Sequence, residues 1–174
     1  FFDVSAEMVR LFYHRLRGEE EVARAIEARV EPMFVQLGSM WLIQSQRPWV
    51  SSFAYSITHD VLGLKRCIED LDRLCKAGYR FEAFRDTARG EYYRERGQLG
   101  RAHEALARAL AALPDEESFR RQRALTALSE VYLAEGKLRE AMETAEEAMA
   151  LACDPESIHL TWRCAGRAHC VGGR

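Results

Sequence analysis

Two stretches of the chain carry matching residues at one constant spacing, and this internal repeat restricts the fold more than any other feature. The matched residues are Asp86 with Leu125, Arg89 with Leu128, Gly90 with Ser129, Tyr93 with Tyr132, Gly97 with Gly136, Ala102 with Ala141, Leu106 with Ala145, and Ala109 with Ala148. Only the closing prolines, Pro114 and Pro155, fall out of this register. A chain that repeats its own pattern folds as stacked copies of one supersecondary unit.

The repeated residues fit a hairpin of two antiparallel helices. Small residues such as Gly90 and Ser129 allow the two helices to approach closely, and the tyrosine that follows each of them fills the space between the helices. Gly97 and Gly136 are expected to end the first helix, because a residue without Cβ easily takes the left-handed conformation. Apolar residues recur at three- and four-residue steps, as an amphipathic helix requires. The sequence therefore predicts an all-α fold.

These residues resemble the tetratricopeptide-repeat (TPR) pattern W-x-x-L-G-x-x-Y…A-x-x-x-F…P, whose period is 34. The match is incomplete, because the Trp position holds Asp86 or Leu125 and the Phe position holds Leu106 or Ala145. The Leu position of the first stretch holds Arg89, which makes its first helix less apolar than the family's. The resemblance implies antiparallel helical hairpins stacked as a right-handed, TPR-like solenoid.

The remainder of the chain follows the hairpin pattern less closely. Apolar periodicity predicts helices over 51–62 and 64–77, joined at Gly63 and ended by Gly78, and a break near Pro32 in the helix before them. The predicted divisions of one continuous domain 1–174 are 1–47, a diverged helical pair or cap; 48–79, a degenerate hairpin; 80–116 and 117–155, TPR-like repeats; and 156–174, the first helix of a truncated repeat.

Composition and charge argue against several functional classes. The 174 residues include 25 basic and 27 acidic side chains, and the net charge of −2 gives no electrostatic reason to expect nucleic acid or a membrane surface as partner. No apolar run approaches the roughly 20 residues that span a bilayer, so a cytoplasmic location is expected.

Arginine far outnumbers lysine and asparagine is absent, as in proteins of GC-rich bacterial genomes. We expect the chain to be the repeat region of a larger bacterial regulator, such as a signalling kinase or ATPase.

No motif of a known catalytic or cofactor site occurs in the sequence. Phosphate loops, nucleophile elbows, zinc-protease helices, EF-hand loops and dinucleotide fingerprints are all missing. The residues with metal-ligand chemistry near the C-terminus are Cys153, His159, Cys164, His169 and Cys170. Their spacing matches no known zinc finger, so buried thiols and surface histidines are favoured over a metal site. The sequence predicts no enzyme activity, no cofactor and no metal.

The TPR resemblance implies a protein-binding groove lined by the first helix of each hairpin. The implied positions are Phe84, Thr87, Glu91, Arg94 and Glu95 in the first stretch, Arg123, Thr126, Glu130 and Leu133 in the second, and His159, Trp162 and His169 in the partial third. Trp162 is the strongest candidate for contact with a partner, because Trp is enriched in binding hot spots. TPR domains that grip acidic tails have Asn where this chain has Glu91 and Glu130, so a basic or mixed partner is expected. Arg94 and Arg123 offer bidentate sites.

Two other functions stay open at this point. The helical stack could be a structural spacer that contacts only its own chain. It could also be a small-molecule sensor with a pocket among Trp41, Trp49, Phe53 and Tyr55, although core packing explains these aromatic residues more simply. A truncated last hairpin would expose apolar surface, which could cause self-association.

Overall fold

The computed structural model describes residues 2–36, 48, 51–114, 117–151, 166 and 170. All regular secondary structure in these residues is α-helical, which confirms the all-α prediction. The helices are α1 (Phe2–Leu16), α2 (Glu20–Gln36), α3 (Val61–Lys76), α4 (Glu82–Glu95), α5 (Leu99–Ala112), α6 (Ser118–Ala134) and α7 (Leu138–Ala150), with a further helical segment at 51–57. They pack as sequential antiparallel pairs. The truncated repeat predicted for 156–174 lies outside the described residues, except at 166 and 170.

The chain divides into two compact units, Phe1–Phe81 and Glu82–Arg174. In the first unit α1 packs against α2. The core between these two helices consists of Val4, Met8, Leu11, Ala23, Ile26 and Val30. The helical segment 51–57 joins this unit through Phe53, whose ring stacks on Phe12 with 5.4 Å between the ring centroids.

The second unit contains the two hairpins that the internal repeat predicted. Helix α4 packs against α5 and α6 packs against α7, and the hairpins are joined because α6 also contacts both α5 and α4. The shared core consists of Ala102, Leu106, Ala127, Leu128 and Val131, with Tyr93, Leu99, Leu110 and Tyr132 packed at its edge. The two tyrosines therefore fill the space between helices, as the repeat pattern predicted.

Three hairpin turns close in the same way. Gly18, Gly97 and Gly136 have φ values of 72°, 69° and 76°, in the left-handed region that glycine adopts without strain. Each glycine N–H donates to the carbonyl three residues earlier, and the next N–H donates to the carbonyl five residues earlier, which is the Schellman ending of a helix. This closure sets where the second helix begins. The residues five positions after these glycines are the fully buried alanines Ala23, Ala102 and Ala141.

The small residues of the repeat lie where the helices of each hairpin are closest. A Cβ added at Gly90 would lie 2.7 Å from Leu106 Cδ2. Ser129 holds the same position in the next hairpin and is fully buried, and its hydroxyl donates to the carbonyl of Ala141 at 2.8 Å. In the second hairpin the residue that matches Leu106 is the smaller Ala145, and the buried hydroxyl of Ser129 is satisfied by the backbone.

The turn before α3 differs from the prediction that two helices meet at Gly63. Residues 58–60 form the turn, and α3 begins at Val61 because the carboxylate of Asp60 accepts the N–H of Gly63 at 2.9 Å. Gly63 is buried within α3, where a Cβ would lie 2.5 Å from Tyr55 Cγ. This glycine therefore permits helix packing and does not form the turn, and the helix predicted over 51–62 ends at residue 57.

Helix α2 continues through Pro32, where the sequence predicted a break. Proline removes the hydrogen bond to the carbonyl of the residue four positions earlier, which is Ala28. Ala28 and Pro32 are both exposed, so water can solvate that carbonyl and the helix runs on to Gln36.

Candidate protein-interaction surface

The described groove positions all lie on α4 and α6, the first helices of the two matching hairpins, and these two helices are in contact. The positions are Phe84, Thr87, Glu91, Arg94 and Glu95 on α4, and Arg123, Thr126, Glu130 and Leu133 on α6. The other predicted positions, His159, Trp162 and His169, lie outside the described residues. The contact between α4 and α6 is therefore the part of the predicted groove for which side-chain geometry is known.

Glu91 and Arg123 link α4 to α6. Arg123 Nη2 donates to Glu91 Oε2 at 2.9 Å, and the two side chains are only 9% and 6% exposed. A carboxylate and a guanidinium removed from water each cost free energy unless they are paired. This ion pair therefore helps to fix the spacing of the two helices.

Arg94 makes a second link between the same helices. Its Nη2 lies 2.9 Å from Glu130 Oε2 on α6 and 2.6 Å from Glu95 Oε1 on its own helix, and all three side chains are largely buried. The Nε of Arg94 is buried as well and makes no hydrogen bond. Five residues form this network, which we call the α4–α6 ladder: Glu91, Arg94, Glu95, Arg123 and Glu130. The ladder holds three carboxylates against two guanidiniums.

Three of the four uncharged groove positions are hydrogen-bonded within their own helix or stacked against a charged side chain. The hydroxyls of Thr87 and Thr126 donate to the carbonyls of residues 83 and 122, one helical turn earlier, at 2.9 Å and 2.8 Å. The guanidinium of Arg120 on α6 lies 4.4 Å from the ring centre of Phe84 on α4, a cation–π contact. Phe84 and Leu133 are half-buried and are the apolar members of the groove set.

The α4–α6 ladder changes how the groove arginines can act. Arg94 and Arg123 were predicted to be bidentate sites for a partner, but both guanidiniums are bonded to carboxylates of the neighbouring helix. Glu91 and Glu130, which the TPR resemblance aligns with the Asn of domains that bind acidic tails, each pair with an arginine across the helix contact. An acidic segment would have to displace one of these carboxylates to reach an arginine.

A group of charged residues that the sequence analysis missed surrounds Asp86. The Asp86 side chain is 7% exposed, and its carboxylate oxygens lie 3.2 Å from Arg85 Nε, 3.3 Å from Arg89 Nη1 and 3.6 Å from Arg108 Nε. Because Arg108 belongs to α5, these ion pairs join α4 to α5 where the TPR pattern has Trp and Leu. Asp86 and Arg89 depart from that pattern together and at the i,i+3 spacing of helical ion pairs, which is the signal that predicts such a group.

Basic side chains cover the two repeat tyrosines. Arg101 Nη2 donates to Tyr93 Oη at 2.9 Å, and its guanidinium lies 4.2 Å from the ring centre. Tyr132 Oη lies 3.1 Å from His103 Nε2 on α5, and Lys137 Nζ lies 5.9 Å from the Tyr132 ring centre. These contacts join successive helices, so they account for His103 as a packing residue.

Two of the aromatic residues considered for a small-molecule pocket are packed within the first unit. Phe53 stacks on Phe12, and Tyr55 is buried with the guanidinium of Arg15 at 4.8 Å from its ring centre. The two tryptophans of that hypothesis, Trp41 and Trp49, lie outside the described residues.

Metal-binding groups of three or more His, Cys, Asp and Glu side chains are missing from the described part of the chain. Of the C-terminal cluster named from the sequence, Cys170 is exposed, and Cys153, His159, Cys164 and His169 lie outside that part. Within the same residues, no helix has both the length and the apolar character needed to cross a membrane.

Comparison with known proteins agrees with the fold. No protein-family model matches the chain, and no curated protein sequence matches it. Among solved structures, a Podosopora anserina protein described as a kinesin light chain with nearly identical TPR-like repeats is similar, with a TM-score of 0.51 and 17% sequence identity. The match covers 98% of this chain and 87% of that one. At this identity the likeness shows the fold alone, which is that of TPR-like helical repeats.

Proposed function

We propose that the chain is a protein-interaction module that binds a peptide or helix of a partner protein on the surface formed by α4 and α6. The observation that carries this proposal is the side-by-side contact of the first helices of two matching hairpins, with the groove residues of both helices gathered along it. Folds made of stacked helical hairpins generally serve protein interactions, because stacking leaves an extended surface for a partner.

The charge of the α4–α6 ladder supports a basic or mixed partner. Three carboxylates stand against two guanidiniums, and both guanidiniums are engaged across the helix contact. A lysine or arginine of the partner would add to this network without displacing any member. A carboxylate would compete with carboxylates that are already in place, so an acidic tail is the weaker candidate.

Apolar contact is expected beside the charged network. Phe84 and Leu133 are half-buried, so each has ring or methyl surface left to cover. Binding energy at protein interfaces concentrates in a few buried aromatic and arginine contacts, while surrounding charges set orientation and specificity. We therefore assign anchoring to Phe84 and Leu133 and selectivity to the α4–α6 ladder.

Affinity capture from a lysate of the source organism, quantified by mass spectrometry, tests the proposal. The variant Glu91→Arg/Arg123→Glu reverses one pair of the ladder but keeps an ion pair between the helices. The matched control Arg139→Glu/Glu143→Arg does the same to an exposed pair on α7, whose atoms are 3.9 Å apart. Circular dichroism and thermal unfolding establish that both variants fold.

The expected result is a partner retained by the wild-type chain and by the α7 control but lost by the ladder variant. The loss follows because the reversal moves the carboxylate of this pair from α4 to α6, which changes the charge that the surface presents to a basic group of the partner. A partner retained equally by all three chains would place binding elsewhere, and the absence of any retained partner would leave the chain as an intramolecular spacer.

We also propose that this module belongs to a larger bacterial regulator. The support is compositional: arginine greatly exceeds lysine, and asparagine is absent. An immunoblot of the source organism with an antibody against this chain is expected to detect a protein well above 19.9 kDa, and a single band at 19.9 kDa would contradict the proposal.

A further inference from the structure

Two arginines beside the turn between α4 and α5 are held by neutral side chains and not by carboxylates. Arg96 Nη1 donates to Tyr92 Oη at 3.0 Å. Arg101 donates to the side-chain oxygens of Gln98 and Tyr93, at 2.9 Å in each case. Both arginines are exposed, and neither lies within ion-pair distance of a carboxylate in the described part of the chain. We call these five residues the α4–α5 turn surface.

The two tyrosines hold the guanidiniums in place. The rings of Tyr92 and Tyr93 are half-buried, and their centres lie 5.6 Å apart in an edge-to-face contact. The guanidinium of Arg96 lies 5.8 Å from the Tyr92 ring centre, and that of Arg101 lies 4.2 Å from the Tyr93 ring centre. Each arginine is therefore attached to one of two touching rings by a cation–π contact as well as by a hydrogen bond. Side chains that are ordered in advance lose less conformational entropy when a ligand binds.

The hairpin fold does not require basic residues at these positions. In the next hairpin the residue that matches Arg96 is Glu135, and the residue that matches Arg101 is Glu140. That hairpin closes through the same glycine turn, and its repeat tyrosine bonds to a histidine of α5 instead. The two arginines therefore give the α4–α5 turn a charge that the packing of a hairpin does not explain.

The charge of the α4–α5 turn surface indicates an anionic ligand. No acidic side chain lies in the first turn of α5, where Arg101 is placed. Each guanidinium has more N–H donors than its bonds to tyrosine and glutamine use. These donors form a planar fork that matches the two oxygens of a carboxylate. A carboxylate can therefore bind each arginine without displacing a residue of the protein.

Two features favour a short acidic segment of a protein over nucleic acid. The tyrosine rings are in contact with guanidiniums, so they are not open platforms on which bases could stack. Glu95 directly precedes Arg96 on α4, and Glu104 follows Arg101 by one helical turn on α5. Carboxylates therefore border the surface on both helices, and a long polyanion would be repelled by them whereas a short segment can avoid them.

We infer that the α4–α5 turn surface binds an acidic segment of a partner protein, with one carboxylate on Arg96 and another on Arg101. The bonds of these arginines to Tyr92 and Tyr93 are kept in the complex and fix the direction of both guanidiniums. The surface includes no residue of the α4–α6 ladder and no groove position. Its failure and the failure of the proposed function are therefore separate results.

Fluorescence anisotropy with three labelled probes tests this inference on the full 174-residue chain. The first probe is a peptide of alternating glutamate and serine, the second has lysine in place of glutamate, and the third is a single-stranded oligonucleotide with the net charge of the first. The chain is used as wild type, as Arg96→Glu/Arg101→Glu and as Arg96→Gln/Arg101→Gln. The control Arg24→Glu/Arg66→Glu changes the net charge as much as the first variant does, at two exposed helix positions. Circular dichroism and thermal unfolding establish that the variants fold.

The glutamate peptide is expected to bind the wild type and Arg24→Glu/Arg66→Glu alike, and to bind both variants of Arg96 and Arg101 about tenfold or more weakly. Arg96→Glu/Arg101→Glu should instead prefer the lysine peptide, a reversal that destabilisation alone would not give. No binding to the wild type, or equal weakening by the control, would overturn the inference. Tighter binding of the oligonucleotide than of the glutamate peptide to the wild type would also overturn it, because the ligand would then be a nucleic acid.

Discussion

At Gly90 the helices α4 and α5 approach so closely that no side chain fits between them. The Leu106 side chain that faces Gly90 is fully buried, so a Cβ at position 90 would push it against the surrounding core. Glycine within a helix costs about 1 kcal/mol relative to alanine. Close packing of α4 on α5 therefore requires glycine at position 90, although helix propensity alone would favour alanine there.

Gly90→Ala is expected to destabilise the fold by about 1–3 kcal/mol, because overpacking outweighs the gain in helix propensity. Gly100→Ala is the matched control, since Gly100 is exposed on α5 and an added Cβ would meet nothing within 4 Å. Its effect should stay within about 0.5 kcal/mol. Urea unfolding followed by circular dichroism measures both, and equal stability of the two variants would contradict the close approach.

Glu19 makes the α1–α2 turn sensitive to acid. Its carboxylate lies 2.5 Å from His14 Nδ1 and accepts from Arg17 Nε at 2.7 Å, and these two bonds lower the pKa of Glu19 from 4.5. A carboxyl whose pKa is lowered by folding contributes stability above its unfolded pKa. That contribution is lost as the pH falls through the folded pKa.

Glu19→Gln is therefore expected to lower the melting temperature at pH 7, and the difference from wild type should shrink below pH 4.5 until it vanishes. Glu146→Gln, at an exposed position on α7, provides the comparison. Thermal unfolding between pH 3 and pH 7 gives the result, and a wild-type advantage that persists undiminished at pH 3 would refute the assignment.

Among the helices, α4 and α6 are joined by charge as well as by apolar packing. Ion pairs at a protein surface contribute little, because water competes for both partners and the side chains lose entropy. The Glu91–Arg123 pair differs, since both side chains are less than 10% exposed and removal of one partner leaves the other with a buried charge that this bond no longer compensates.

A double-mutant cycle on Glu91 and Arg123 measures this link. Glu91→Gln and Arg123→Gln are each expected to cost about 3 kcal/mol, and the double variant should cost clearly less than their sum, because no uncompensated charge remains. The same cycle on the exposed Arg139 and Glu143 of α7 should give coupling of about 0.5 kcal/mol or less. Additive effects at Glu91 and Arg123 would show that the pair does not hold the helices.

Local sequence rules predicted the hairpins of the second unit better than the turn before α3. Gly97 and Gly136 end their helices through contacts within six residues, so a single position determines the turn. At the start of α3 two signals compete, because Gly63 suggests a turn while Asp60 can cap a helix. Gly63 packs against Tyr55 from inside α3, which is consistent with a helix that begins at the Asp60 cap. Rules that use only neighbouring residues in the sequence do not predict this contact, because Tyr55 belongs to the preceding helical segment.

Across the whole molecule, the repeat register predicted that the proposed groove residues lie on two equivalent helices, but it did not predict how their side chains pair. Register transfers position by position, so the TPR resemblance assigned Glu91 and Glu130 to equivalent positions in the two hairpins. Which carboxylate meets which guanidinium depends on how α4 and α6 lie side by side, and the partners are separated along the chain by an entire helix, α5. The fold was therefore readable from local pattern, whereas the electrostatics of the candidate surface required the structure.

Site-specific photocrosslinking tests the central claim, that the α4–α6 surface receives a partner protein, most directly. Benzoylphenylalanine is placed at Phe84, at Leu133 and, as a control, at Arg139 on the exposed side of α7. After irradiation in a lysate of the source organism, positions 84 and 133 are predicted to cross-link the same partner, and position 139 is predicted not to. A partner cross-linked from position 139 but from neither 84 nor 133 would contradict the account.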